Sequence, residues 1–194
     1  MKLLIASNNE GKVREMRALL SGRFEEILSM KQAGIELEVE EDGETFEENA
    51  RKKAREICAA SGMAALADDS GLCVWALGGE PGVHSARYSG VHGDDEANMR
   101  VLLEKMRGVE DRRCAFVSAV VLCDPQGGEW SANGEVRGIL LDRKVGTNGF
   151  GYDPIFYSEE LGKSFGEASA EEKNAISHRA RALANLVATL EKSL

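Results

Sequence analysis

Proline is scarce in this 194-residue chain, occurring three times, at Pro81, Pro125 and Pro154. With no low-complexity segment or internal repeat beside it, that scarcity argues against a proline-rich linker or stalk. No apolar run approaches the roughly 20 residues that cross a bilayer, so no membrane span is expected. Cysteine occurs four times, at Cys58, Cys73, Cys114 and Cys123, never as C-x-x-C and never with a histidine at zinc-ligand spacing. Each lies in an apolar stretch and reads as a small buried hydrophobe. Positive charge is in deficit, with 24 Lys and Arg against 33 Asp and Glu and a formal net charge of −9. That balance argues against a broad nucleic-acid surface. It leaves room for a small phosphate ligand, because a few converging cations and one metal ion dominate a cleft locally. The opening MKLLIASNNEGK is too short and too soon polar for a secretory signal, so the cytoplasm is the expected location.

What is present is ordinary for a folded domain: 43% hydrophobic and 29% charged residues. Residues 2–6 read as a short buried strand. A turn, Ser7-Asn8-Asn9-Glu10-Gly11-Lys12, leads into a helix carrying Val13, Met16, Leu19 and Leu20 on one side. Residues 35–41 alternate with period two, which predicts a strand with one acidic face. Thr45-Phe46-Glu47-Glu48 is a capping box opening a helix to about Ser61, where Gly62 stops it. Met63–Ala67 reads as a strand ending at Asp68-Asp69. Residues 78–93 read as loop, and 94–106 as a helix. Cys114–Cys123 and Trp130–Leu141 read as a long hairpin turned at 124–128. Gly146–Pro154 is a glycine-rich loop. A second capping box, Ser169-Ala170-Glu171-Glu172, opens the last helix. The mixture is α/β, expected as a central twisted sheet with helices on both faces.

Four groups of residues carry chemistry. The turn 7–12 offers backbone N–H groups and the positive end of a helix dipole, with Lys12 adding a full charge. That suits phosphate, although an ordinary capped helix has the same look, and no Walker A pattern is present. Asp68 and Asp69, with the glutamates from Glu36 to Glu48, are carboxylates able to share one hard cation. Adjacent side chains on an extended segment point apart, so one aspartate faces a ligand while the other braces the structure. Gly149-Phe150-Gly151-Tyr152-Asp153-Pro154 brings backbone close to a flat ligand, with Phe150 available to stack on a base. In Lys173-Asn174-Ala175-Ile176-Ser177-His178-Arg179, a continuous helix sends His178 into solvent. A break at Ser177, a good N-cap residue, turns His178 and Arg179 toward the ligand. The break is the expectation. Lys53 lies four residues after Asn49 on one helix face.

Six ordered motifs resemble one family, the HAM1-like inosine triphosphate pyrophosphatases. They are Ser7-Asn8-Asn9-x-Gly11-Lys12; Thr45-Phe46-x-Glu48-Asn49-Ala50 with Lys53; and Ala67-Asp68-Asp69-Ser70-Gly71-Leu72. Pro81-Gly82-x-x-Ser85-Ala86-Arg87, Gly149–Pro154 and Ser177-His178-Arg179 complete the set. The resemblance implies an elongated α/β protein, a twisted mixed sheet flanked by helices. It implies one domain over 1–194, in two lobes not separable in sequence, around a central nucleotide cleft, and a homodimer. The implied activity is hydrolysis of ITP, dITP and XTP to the monophosphate and pyrophosphate with Mg2+. Asp69 would be catalytic and, with Glu41, hold the metal. Glu38 and Glu40 are rivals for that second carboxylate. Substrate contacts would come from Ser7, Asn8, Asn9, Glu10, Gly11, Lys12, Lys53, Ser70, Phe150, Gly151, Tyr152, Asp153, Lys173, His178 and Arg179. Lys12, Lys53 and Lys173 would offset phosphate charge, and His178 and Arg179 would read the 6-oxo group. Rival readings are a related pyrophosphatase of different base preference and a nucleotide-binding regulator without catalysis. A dinucleotide oxidoreductase lacks its G-x-G-x-x-G after the first strand.

Overall fold

A computed structural model describes residues 2–192. Seven strands hydrogen-bond in one mixed sheet: β1 (Lys2–Ile5), β2 (Glu26–Ser29), β3 (Ala64–Val74), β4 (Arg113–Cys123), β5 (Glu129–Leu140), β6 (Phe156–Ser158) and β7 (Lys163–Ser164), in the order β2-β1-β3-β4-β5-β6-β7. β1 runs parallel to both β2 and β3, with Leu3 opposite Ala64 and Ile5 opposite Leu66. β5, β6 and β7 pair antiparallel. The helices are α1 (Glu10–Leu19), α2 (Phe46–Ser61), α3 (Asp95–Lys105), α4 (Ala170–Ile176) and α5 (His178–Lys192). No helix among the described residues is long and apolar enough to cross a membrane.

The chain forms two compact units. The first comprises the chain up to Asp69, Ser118–Gly134 and the stretch from Arg179 on; the second comprises Ser70–Val117 and Glu135–His178. In the first unit, alternation along the strands divides the core. Leu3 and Ile5 of β1 pack with Val13 and Met16 of α1 and Leu183 and Leu186 of α5. Leu4 packs with Ala50, Ala54 and Ile57 of α2. Helices therefore cover both faces there, as period-two burial requires. In the second unit, Leu72, Leu102, Phe116, Phe156 and Phe165 form the centre of a separate core.

Local chemistry accounts for the helix ends. Asn9 caps α1 by accepting the Lys12 N–H at 3.0 Å. The expected turn is thus shorter than 7–12, and Glu10, Gly11 and Lys12 form the first helical turn. Both capping boxes form, at Thr45 with Glu48 and at Ser169 with Glu172. Gly62 ends α2 at φ +66°, a left-handed conformation that favours glycine. The expected break is present: Ser177 is extended (φ −64°, ψ 159°), separating α4 from α5.

Three expectations need correction. Residues 35–41 form no strand. Ile35 and Val39 pack partly against the α2 core while Leu37 is 38% exposed, so the apolar positions do not share one face. The run has no strand neighbour among the described pairings, and without a ladder its alternation builds nothing. The strand beside β1 is instead Glu26–Ser29. Second, β3 continues to Val74, so Asp68 and Asp69 lie inside the strand instead of beyond its end. Third, residues 78–93 include a 3₁₀ turn, Gly82–Arg87, and another precedes them at Trp75–Leu77. Of the cysteines, Cys58, Cys114 and Cys123 are buried and Cys73 is partly so.

Candidate active site

The first unit holds two charged clusters, one on each of two adjacent aspartates of β3. Asp68 is fully buried. Its Oδ2 accepts from Lys12 Nζ at 3.0 Å and from Arg179 Nη2 at 3.3 Å. Its Oδ1 accepts from Ser118 Oγ of β4 at 2.5 Å. Arg179 is 1% exposed and also pairs with Glu15 of α1. Lys12 and Glu15 are three apart on α1 and so share a face. Burial works against the Asp68 charge, but the Arg179 and Lys12 cations and the Ser118 hydrogen bond overcome it and hold the carboxyl well below the usual range.

Asp69 points the other way, as strand geometry demands. It is 5% exposed. Its Oδ2 accepts from Asn49 Nδ2 at 3.0 Å, and Lys53 Nζ stands 3.9 Å from its Oδ1. Lys53 also pairs with Glu41 and donates to the Asp68 carbonyl at 2.9 Å. Asn49 accepts the Gly43 N–H at 2.8 Å, tying the Glu41 segment to α2. A Cβ at Gly43 would lie 2.7 Å from Asn49 Oδ1, so only glycine allows this approach. Burial pushes the Asp69 pKa up and Glu41 adds to the rise, against the pull of Lys53 and Lys12. Two neighbouring carboxylates thus differ in character. Asp68 is held as an anion, whereas the Asp69 carboxyl has the higher pKa of the two and is the stronger proton acceptor.

Asp69 and Glu41 also suit a divalent cation. They already share one ammonium, and magnesium takes one or two carboxylates beside waters and phosphate oxygens. No cluster of three or more metal-ligating side chains occurs among the described residues.

At the start of α1, Asn8, Asn9 and Glu10 are exposed, and Ser7 Oγ accepts the Asn9 N–H at 3.2 Å. Ser70 is partly buried on β3, immediately after the aspartates.

In the second unit the glycine-rich loop is clamped. Asp153 Oδ2 accepts from the Phe150 N–H at 3.0 Å and from Lys173 Nζ at 2.6 Å. The Lys173 ammonium sits 4.7 Å from the Phe150 ring centre, a cation–π contact. The Gly151 N–H donates to Asp95 Oδ2 at 2.8 Å. Tyr152 is a core residue, its hydroxyl donating to the Ser85 carbonyl at 2.7 Å. His178 is 4% exposed and stacks on Phe116 with centroids 4.8 Å apart.

Lys173 is 4% exposed and paired with Asp153 beside Phe150. Past the break at Ser177, His178 lies against Phe116 and Arg179 against Glu15 and Asp68. Glu15 and Ser118 were not singled out from sequence. Ser118 did carry a signal: it is a lone hydroxyl inside the apolar run 114–123.

The family model described as Ham1 family matches residues 3–189. A dITP/XTP pyrophosphatase of Geobacter sulfurreducens is 50% identical over 187 residues, covering 95% of this chain and 94% of its own. One from Thermus thermophilus is 47% identical over 189 residues, covering 96% and 90%. The solved Ham1 protein of Staphylococcus aureus superposes with a TM-score of 0.87 at 41% identity, covering all of both chains. With a match over nearly its whole length and relatives at half identity, the chain belongs to the Ham1 family.

Proposed function

We propose that this protein hydrolyses the non-standard purine nucleoside triphosphates ITP, dITP and XTP to the monophosphate and pyrophosphate, cleansing the nucleotide pool. The observation that carries the reading is the arrangement on β3: Asp68 braced by Lys12, Arg179 and Ser118, and the adjacent buried Asp69 set beside Asn49, Lys53 and Glu41. Two of these substrates, dITP and XTP, stand in the names of the Geobacter and Thermus relatives.

In this reading Asp69 accepts a proton from water as the water oxygen attacks the α-phosphorus. The α–β phosphoanhydride bond breaks, and pyrophosphate leaves with the electron pair. Lys12 and Lys53 offset the charge that builds on the departing group. The N-terminal end of α1, with Ser7 and Asn9, orients it. Magnesium, held by Asp69 and Glu41, would supply charge neutralisation at the phosphates when bound. Phe150 stacks on the base, with Asp153 fixing the loop. His178 donates to the 6-oxo group, where adenine carries an amine, and a buried donor left unmet costs about 1–3 kcal/mol. Homodimer formation, on the strength of the family resemblance, and a cytoplasmic location complete the proposal.

The test is incubation with ITP, XTP, dITP, ATP and GTP, with and without magnesium, followed by pyrophosphate detection. Release from the first three that requires magnesium is expected. Equal release from ATP, or none from any, would refute the reading.

A further inference from the structure

Asn49 and Lys53 lie one turn apart on α2, and each bridges the same two segments. Asn49 accepts from Gly43 at 2.8 Å and donates to Asp69 at 3.0 Å. Lys53 pairs with Glu41 and stands 3.9 Å from Asp69, while donating to the Asp68 carbonyl at 2.9 Å. The two rungs differ in kind. Asn49 is short, neutral and 1% exposed, and both ends of its amide are used with the polarity each partner needs. Lys53 is a point charge on a four-carbon stem, able to leave by rotamer change alone.

We propose that Lys53 is a resident placeholder cation, displaced from Asp69 and Glu41 when a divalent cation binds, and that Asn49 holds the two carboxylate-bearing segments together through the exchange. The inference rests on the assignment of Asp69 and Glu41 as metal ligands. The physical reason is competition. An ammonium within 4 Å of one carboxylate and paired with the other stands where a second cation has to approach, and like charges at that distance repel. Displacement frees the ammonium to meet a phosphate, so metal and nucleotide binding assist one another. Asn49 is then a positioning residue: it touches no reacting atom and acts through Asp69 and the Gly43 backbone.

The experiment measures manganese binding to the nucleotide-free protein by the EPR signal of free Mn2+. Lys53→Met removes the competitor and should tighten Mn2+ binding by on the order of tenfold, while slowing pyrophosphate release from ITP. Lys53→Gln, which keeps a donor without the charge, should tighten it similarly. Asn49→Ala should weaken Mn2+ binding by about tenfold and speed hydrogen exchange at the Gly43 amide, with circular dichroism unchanged. Lys53 variants that bind Mn2+ no better than the wild type would overturn the placeholder role. Unchanged Gly43 exchange and Mn2+ affinity in Asn49→Ala would overturn the positioning role. Should wild type release no pyrophosphate from ITP, the proposed activity fails, yet the Mn2+ comparison still decides the exchange.

Discussion

Replacing each of the two adjacent aspartates by asparagine should give opposite stability results, and the structure dictates the sign of each. Asp68 is fully buried between Lys12 and Arg179 and stays ionised far below the usual range. Asp68→Asn leaves buried cations facing a neutral amide, a change that typically costs about 3–5 kcal/mol. Glu15 still holds Arg179, which puts the expectation at the low end, about 3 kcal/mol. For a chain of this length that corresponds to a fall of about 6–12 °C in unfolding midpoint. Asp69 is the reverse case. Its pKa is raised by burial, so the folded state already disfavours its charge. Asp69→Asn removes that charge, and stability should hold or rise, within about 1 kcal/mol. Turnover of ITP should nearly vanish at saturating magnesium. Urea denaturation and pyrophosphate release on the three proteins decide the matter. An Asp69→Asn protein as destabilised as Asp68→Asn, or one turning over ITP at near-normal rate, would refute the division of roles.

Other expectations are equally direct. Gly149 has φ +75°, and a Cβ there would lie 2.0 Å from Asp153 Oδ2. Gly149→Ala should therefore displace the Phe150 clamp, at a cost of about 1–3 kcal/mol, seen as a raised KM for ITP with little change in circular dichroism. His178→Ala should narrow the ITP-to-ATP ratio of kcat/KM by about tenfold or more; an equal fall in both rates would remove His178 from base reading. Burial pushes the Cys114 and Cys123 thiols up to about 12, so a thiol reagent at pH 8 should leave both unlabelled until urea unfolds the chain. A thiol raised on folding stabilises fully below its unfolded pKa of about 8.5 and loses that contribution as pH climbs toward 12. The stability lost between pH 7 and pH 10 should thus be smaller in Cys114→Ala by about 2 kcal/mol.

Features decided by near neighbours were legible in the sequence. Both capping boxes place donor and acceptor within three residues, and both form. The Ser177 break was readable because an uninterrupted helix sends His178 to solvent. Features decided by remote partners were not. The alternation at 35–41 has the pattern of a strand, but whether a neighbour exists to bond it is a property of the whole sheet. Asp68 and Asp69 look like the end of a strand because charge is costly in a sheet interior. Lys12, Ser118 and Arg179, from three distant stretches, remove that objection for Asp68. The Glu15–Arg179 pair spans 164 positions and could not be read locally. The two compact units had no visible boundary because the chain passes between them inside β3, β4 and β5 and at the start of α5, where composition does not shift.

Hydrolysis of ITP in ¹⁸O-labelled water, with mass analysis of the products, tests most directly whether water attacks the α-phosphorus. The account predicts one labelled oxygen in the inosine monophosphate and none in the pyrophosphate. Label in pyrophosphate, or release of labelled orthophosphate, would contradict it.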